Sequence, residues 1–223
     1  TDYVKSVDPS LTVYHNGASI VAGGSSNGCG VEVNEACDFL GGDLYGGIYN
    51  HSFTCKLYKN MTKNPPFEYM FSRCKPALRM HTLTKTEDEI KTAVAVTAAH
   101  HGATLVIDAI DPVGTMDSRV YDRIGRAFEM QIPYEPYFRG KMAEDIAIYF
   151  GIKSKFDPIG CKKTSLDSCT SVSKMLIRNH VPYGVTGSFH RLEGYRAIIA
   201  PMLHISEAED NARICQYVKN GGV

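Results

Sequence analysis

The sequence predicts an α/β chain built as one half of a (β/α)8 TIM barrel over residues 1–140, followed by part of an open, doubly wound parallel sheet over residues 141–223. Three observations predict it. Four short apolar stretches, each closing on polar residues, recur about every thirty residues, the size of one βα unit in such a barrel. Beyond Pro133-Tyr134-Glu135-Pro136 the pattern changes to buried-type strands alternating with helices, which build a parallel sheet wound on both faces. Four units leave two open sheet edges, so the chain is expected to be part of a longer protein. Its ends fit that expectation: it opens on Thr1-Asp2-Tyr3 in a helix tail that leads to Val7-Asp8-Pro9, and closes on Asn220-Gly221-Gly222-Val223, a helix stop followed by the first residue of a strand.

In chain order, the first strand is Leu11-Thr12-Val13-Tyr14, running into His15 and Asn16, and the second covers residues 37–42 and runs into Asp43. The third covers residues 67–71 and runs into Ser72 and Arg73, and the fourth covers residues 103–107 and runs into Asp108. Two loops rich in Gly, Asn, Ser and Tyr follow the first two strands, at residues 22–30 and 45–51, and such loops on a rigid scaffold suit ligand contact. The first lacks both the G-x-G-x-x-G order and a Gly-Lys-Ser/Thr ending, so it reads as a flexible loop and not a phosphate cradle. Thr86 with Glu89 three residues later makes a capping box for a helix over residues 85–101, whose stripe is Ile90, Val94, Ala95 and Ala98. The paired His100 and His101 in its last turn read as dipole partners and not as metal ligands. A further helix is expected over residues 116–130.

The second region holds a strand over residues 145–150, a helix over 166–180, a short strand over 182–185, a buried strand over 195–200 and a helix over 206–220 that Gly221 ends. With 24 basic and 24 acidic residues the formal net charge is zero, so no polybasic surface points to nucleic acid. No apolar run approaches the length of about 18 residues that spans a bilayer, so no membrane partner is expected. Seven cysteines form no C-x-x-C pair and cannot pair fully within the chain, which places the protein in a reducing, cytoplasmic setting. Asn50-His51-Ser52 and Asn60-Met61-Thr62 match the glycosylation sequon, a match too short to weigh against that reading.

Gly102-Ala103-Thr104-Leu105-Val106-Ile107-Asp108-Ala109-Ile110-Asp111-Pro112-Val113-Gly114-Thr115-Met116-Asp117, then Tyr134-Glu135-Pro136-Tyr137 and Asp145-Ile146-Ala147-Ile148-Tyr149, resemble the glycosyl hydrolases related to glycoside hydrolase family 42, the beta-galactosidases. Tyr195-Arg196-Ala197-Ile198-Ile199-Ala200-Pro201-Met202-Leu203 and Tyr217-Val218-Lys219-Asn220-Gly221-Gly222 resemble that group's second domain, which has a glutamine-amidotransferase-like fold and serves trimerisation. The resemblance implies the C-terminal half of the barrel, strands five to eight, joined to a partial amidotransferase-like domain, a carbohydrate substrate and a homo-oligomer, with the trimer as the family's form. No cofactor is expected, and Asp108 with Asp111 could take a divalent cation only on a spacing too common to count as a metal site. Family 42 enzymes are retaining glycosidases with an acid/base Glu after strand four and a nucleophile Glu after strand seven, about 5 Å apart. Strand seven here ends in Phe71-Ser72-Arg73 and carries no carboxylate there. Glu68 sits near its start, on the barrel end that serves stability, and takes no nucleophile role.

The carboxylates at the expected catalytic face are Asp43, Asp108 and Asp111. A glycosidase needs one carboxyl that donates a proton to the leaving oxygen and one that stays ionised. Asp43 is the best candidate, with glycines beside it that let a sugar approach and Tyr45 as a stacking surface. Arg73 suits a charge-assisted pair with a neighbouring Asp; equally, Arg73 and Asp108 pair as part of the barrel rim. His15 and Asn16 are hydroxyl-binding candidates or loop caps. No Gly-x-Cys-x-Gly turn or Gly-x-Ser-x-Gly elbow is present for other nucleophilic chemistry. The expected function is that of a glycoside hydrolase piece, inactive alone. The alternative is a non-catalytic carbohydrate-binding or oligomerisation protein with a degenerate barrel.

Overall fold

The computed structural model describes residues 1–21, 29–76, 78–109, 111–138, 140–156 and 165–223. Of the glycine-rich stretch, residues 22–28 lie outside the described residues, and its reading as a loop with them. Helix α1, Asp2–Val7, leads into an extended segment at residues 11–16, and α2, Ala18–Val21, follows directly. The first sheet pairs β1, Glu68–Ser72, with β2, Ala103–Ile107, in parallel, from Glu68 opposite Ala103 to Ser72 opposite Ile107.

The two earlier predicted strands lie in the same layer but are not regular strands. Residues 11–16 and 37–43 make only isolated parallel bridges, Asn16 with Gly41 and Asp43 with Met70. The backbone still links them in chain order: Asp38 N to Val13 O (2.8 Å), Gly17 N to Gly41 O (2.7 Å), Glu68 N to Leu40 O (2.8 Å) and Met70 N to Gly42 O (2.9 Å). Side chains take the places that ladder partners would fill. The Asp38 carboxylate accepts from Val13 N (2.7 Å), the Thr62 hydroxyl from Leu40 N (2.9 Å) and the Asn16 amide oxygen from Asp43 N (3.1 Å). Asp, Asn and Thr compete with regular secondary structure in this way. The layers approach closely at Gly42, where a Cβ would stand 2.7 Å from the backbone N of Ala18.

Helix α3, Ile48–Met61, replaces the loop expected over residues 48–51. Its residues show no apolar stripe because it is covered nearly all round: His51, Ser52, Phe53, Thr54, Cys55, Lys56, Leu57, Tyr58 and Met61 are all buried. Helix α4, Glu87–Ala99, has the expected capping box at Thr86 and Glu89, and His101, at φ 64°, turns the chain out of it. Helix α5, Ser118–Glu129, is capped by Asp117, whose side chain accepts from Arg119 N, and packs on α4.

The second sheet consists of β3, Ile146–Tyr149, β4, Tyr183–Thr186, and β5, Ala197–Ile199, all parallel in the order β4-β3-β5. Helix α6, Ser165–Arg178, lies between β3 and β4 in sequence. A loop and not a helix joins β4 to β5, and α7, Ala208–Lys219, ends at Gly221 with φ 93°. Val223 continues the sheet past β5, donating to Arg196 O (3.2 Å) and accepting from Ile198 N (2.6 Å). Helix α3 contacts α4 on one side and α6 and β4 on the other, so one buried cluster runs from Ile20 and Leu40 through Phe53 and Leu57 to Phe150 and Val185.

Two imidazoles, the buried His51 and the half-buried His100, sit at the α3–α4 contact. His51 Nε2 lies 2.8 Å from Thr97 Oγ1, whose own proton goes to Ala93 O, so the ring donates. His100 Nδ1 donates to Val96 O (2.6 Å), which leaves Nε2 to accept from Ser52 Oγ (3.3 Å). Burial holds both neutral, His51 down to about 3 and His100 down to about 4. His100 therefore serves as an uncharged cap of the last turn and not as the cation that its position predicts.

Because the unfolded chain binds these protons near pH 6.5 and the folded chain does not, stability is full above pH 6.5. It falls as pH drops toward 4, by up to about 1.4 kcal/mol per pH unit for each imidazole. Urea midpoints measured between pH 7.5 and 4.5 are expected to show this loss, and His100→Gln to flatten it; an unchanged slope in His100→Gln refutes the assignment. Gly42→Ala is expected to lower unfolding stability by about 1–3 kcal/mol, read from the same urea curves.

Candidate functional site

The two faces of the first sheet differ. Tyr69 and Phe71 of β1 point to the helices and are buried. Strand alternation puts Glu68 and Met70 on the other face, with Ala103 and Leu105 opposite them in register and exposed. Asp43, bridged to Met70, belongs to this open side.

Asp43 is half-buried, and its Oδ1 is shielded from solvent without a hydrogen-bond partner. The Tyr45 phenol lies beside the Asp43 carboxylate, and burial followed by that neighbouring charge raises the Tyr45 pKa well above the usual phenol value. The backbone N–H of Asp43 rests on Asn16 Oδ1, which also accepts from Ala18 N (3.1 Å) at the start of α2. Asn16 thus ties the first two segments together as a cap. His15 is exposed beside it, its backbone N–H directed at Cys37 Sγ (3.3 Å).

Arg73 is buried and pairs with Asp108, Nε to Oδ1, at 2.5 Å. Its Nη1 donates to His81 O (2.8 Å) and Thr84 Oγ1 (2.9 Å), and the same Asp108 oxygen accepts from Ala109 N (2.6 Å). Of the two sequence readings, this geometry matches the rim pair: the guanidinium joins the ends of β1 and β2 to the segment that precedes α4. Asp111 is exposed and closes a turn, Oδ1 accepting from Val113 N (3.0 Å). The structure therefore joins Asp43 with Tyr45 and Asn16, joins Arg73 with Asp108, and leaves Asp111 apart.

Glu68 is the polar residue of the open face that the sequence reading set aside. Its Oε1 is buried and unpartnered, as is Asp43 Oδ1. The Tyr14 phenol lies beside the Glu68 side chain, and burial followed by the Glu68 charge raises the Tyr14 pKa. Gly41 makes room for this contact, since a Cβ there would lie 2.9 Å from Glu68 Cβ and 3.2 Å from the Tyr14 ring. The signal lay in the alternation: Glu68 shares parity with Met70, the partner of Asp43.

A cavity of about 400 Å³ opens on the helical side, between the 44–48 turn, the Tyr69–Phe71 face of β1 and α4. Among the candidate residues only Tyr45 lines it. In the second sheet, the crevice at the strand C-termini, where doubly wound folds take ligands, is occupied by the 202–205 loop. Ser154 Oγ accepts from His204 N (3.0 Å) and Ile205 N (3.1 Å), and a Cβ on Gly151 would stand 2.6 Å from Leu203 Cδ1. The sequon residue Asn60 is likewise engaged, donating to Val185 O (2.8 Å) and the Tyr195 hydroxyl (3.3 Å). Among the described residues no cluster of three His, Cys, Asp or Glu is placed to hold a metal ion, and no helix is long and apolar enough to cross a membrane.

Comparison with known proteins places this geometry. Residues 145–223 match the sequence model of the beta-galactosidase trimerisation domain. No curated protein sequence matches the chain. Among solved structures, alpha-L-fucosidase isoenzyme 2 from Paenibacillus thiaminolyticus superposes with a TM-score of 0.78 at 15% identity over 99% of this chain. The beta-galactosidase from Rahnella sp. R3 gives 0.67 at 18% over 86%, and Gan42B, a GH42 beta-galactosidase from G. stearothermophilus, gives 0.68 at 16% over 86%. The chain spans 33% of the length of each. At such identities the superpositions establish a shared mixed α/β fold, and with the matched C-terminal segment they show the chain to be related to the family 42 glycosyl hydrolases, as its motifs indicated.

Proposed function

We propose that this chain supplies the C-terminal half of a (β/α)8 barrel, residues 1–140, and part of an amidotransferase-like domain, residues 141–223, to a protein that hydrolyses a glycosidic bond. The observation that carries this reading is Asp43: a carboxylate at the end of a parallel segment, on the open face, with one buried oxygen unpartnered and the Tyr45 phenol beside it. An oxygen held without a partner makes burial of this carboxylate costly, and a sugar hydroxyl that donates to the half-buried group offsets that cost. Arg73 and Asp108 shape the rim, Asn16 and His15 border the sugar, and Asp111 lies at the outer edge. The related structures name galactosides and fucosides as sugar classes to test. Residues 145–223, matched to a trimerisation domain, support self-association, the trimer first.

A second reading, a sugar-binding or assembly protein with a degenerate barrel, draws on the end of β1, where Ser72 and Arg73 stand in place of a carboxylate. The two readings separate by turnover in a protein that carries the rest of the barrel. For the 223-residue chain alone, no hydrolysis of an aryl glycoside is expected; measurable turnover overturns the half-barrel reading. Asp43→Asn is expected to weaken binding of methyl β-D-galactoside or methyl α-L-fucoside about tenfold, a loss near 1.4 kcal/mol, in isothermal titration, with Asp111→Asn unchanged. Equal affinities for the two variants count against Asp43 as the sugar contact.

A further inference from the structure

The cavity on the helical side of β1 lies outside the sugar-facing surface, yet one residue belongs to both. Tyr45 lines the cavity, and it stands two residues past Asp43, beside that residue's carboxylate. Three of the other lining side chains are aromatic rings, beside the aliphatic Leu44 and Ile48 and the charged Lys85, Asp88 and Glu89. Tyr69 is stacked on His51 with ring centroids 3.7 Å apart, and His51 is itself anchored on Thr97. Phe71 lies under the Lys85 ammonium at 5.9 Å. Lys85 is held in turn by Ser72 O (2.5 Å) and Cys74 O (2.6 Å), so its charge is engaged by the wall. The volume of about 400 Å³ falls within the range of small-molecule sites. It exceeds what a single water needs, and its rings lie on the β1 side while the polar side chains of α4 stand at the mouth.

From this geometry we propose that the cavity binds an aryl group, the aglycone of an aryl glycoside whose sugar rests at Asp43. Tyr45 is the hinge between the two parts: its hydroxyl marks the sugar end and its ring the start of the aromatic chamber. Flat rings stack on Tyr45, Tyr69 and Phe71 with the offset or edge-on contacts that aromatic pairs favour. The polar mouth, with Asp88 exposed, leaves substituents on the aglycone in water. The identity of the ligand as a glycoside rests on the function proposed above; the cavity's preference for an aryl group does not.

Ligand-observed NMR titrations of the 223-residue chain test the inference with three probes: 4-nitrophenol, 4-nitrophenyl β-D-galactoside and methyl β-D-galactoside. Two variants fill the chamber from α4, Thr92→Trp at an exposed mouth position that leaves the core intact and Ala93→Phe deeper in the wall. The expected result is an aryl galactoside that binds at least about tenfold tighter than the methyl galactoside, an advantage that disappears in Thr92→Trp while methyl galactoside affinity stays the same. Two galactosides of equal affinity, or an aryl advantage that survives both variants, overturn the inference. Saturable 4-nitrophenol binding that Thr92→Trp abolishes supports the cavity even where neither galactoside binds, and in that case only the glycoside reading falls. Absence of saturable 4-nitrophenol binding to the wild-type chain overturns the cavity inference whatever the galactosides do.

Discussion

The burial of α3 on every side is the constraint on which the rest of the structure depends. A helix with no solvent face must have each polar group met by another element, and the partners of α3 come from across the chain. His51 donates to Thr97 and Ser52 meets His100, both fixing α4. The Tyr58 hydroxyl donates to Gly17 O (2.8 Å) in the first extended segment, and Asn60 reaches Val185 and Tyr195 of the second sheet region. Lys56, its pKa lowered by burial, faces Glu144 at 3.8 Å just ahead of β3. These contacts join both sheets to one helix, which is why one apolar cluster reaches from the first sheet to the second, with a smaller one under α7 at Tyr149, Leu192 and Tyr217.

That arrangement also decides where chemistry is available. With α3 and α4 covering the Tyr69–Phe71 face, the sheet has one side committed to packing and one side open. On the open side, Asp43 and Glu68 each hold one buried oxygen without a partner, and each has a tyrosine beside it whose pKa its charge helps to raise. Buried unpaired acceptors are unfavourable unless something satisfies them, so this face carries the polar demand of the first sheet. The ends of β1 and β2 are different in kind: Arg73 and Asp108 satisfy each other and their neighbours, and that rim is closed electrostatically.

The second sheet has the mirror-image economy. Its crevice at the strand ends is filled by the 202–205 loop pinned on Ser154. Arg213 of α7 holds the β4–β5 connection through Ser188 O (3.2 Å) and His190 O (2.7 Å). In this segment, which matches the trimerisation-domain model, side chains at the strand ends are engaged in fixing loops.

The sequence by itself determined the elements whose signals are local. The capping box of α4, the apolar runs of β1 to β5, the glycine after α7 and the spacing of parallel units all follow from short-range pattern, because caps and periodicity are properties of adjacent residues. Tertiary structure alone decided three things. It made α3 a helix where a loop was expected, since a helix buried all round shows no amphipathic period. It reduced the first two strands to bridged segments, because Asp38, Asn16 and Thr62 offered side-chain partners to the same backbone groups. And it sorted the candidate residues, giving Arg73 to Asp108 and Tyr45 to Asp43, since which charged groups meet depends on sheet register and strand face, and both are set by long-range packing.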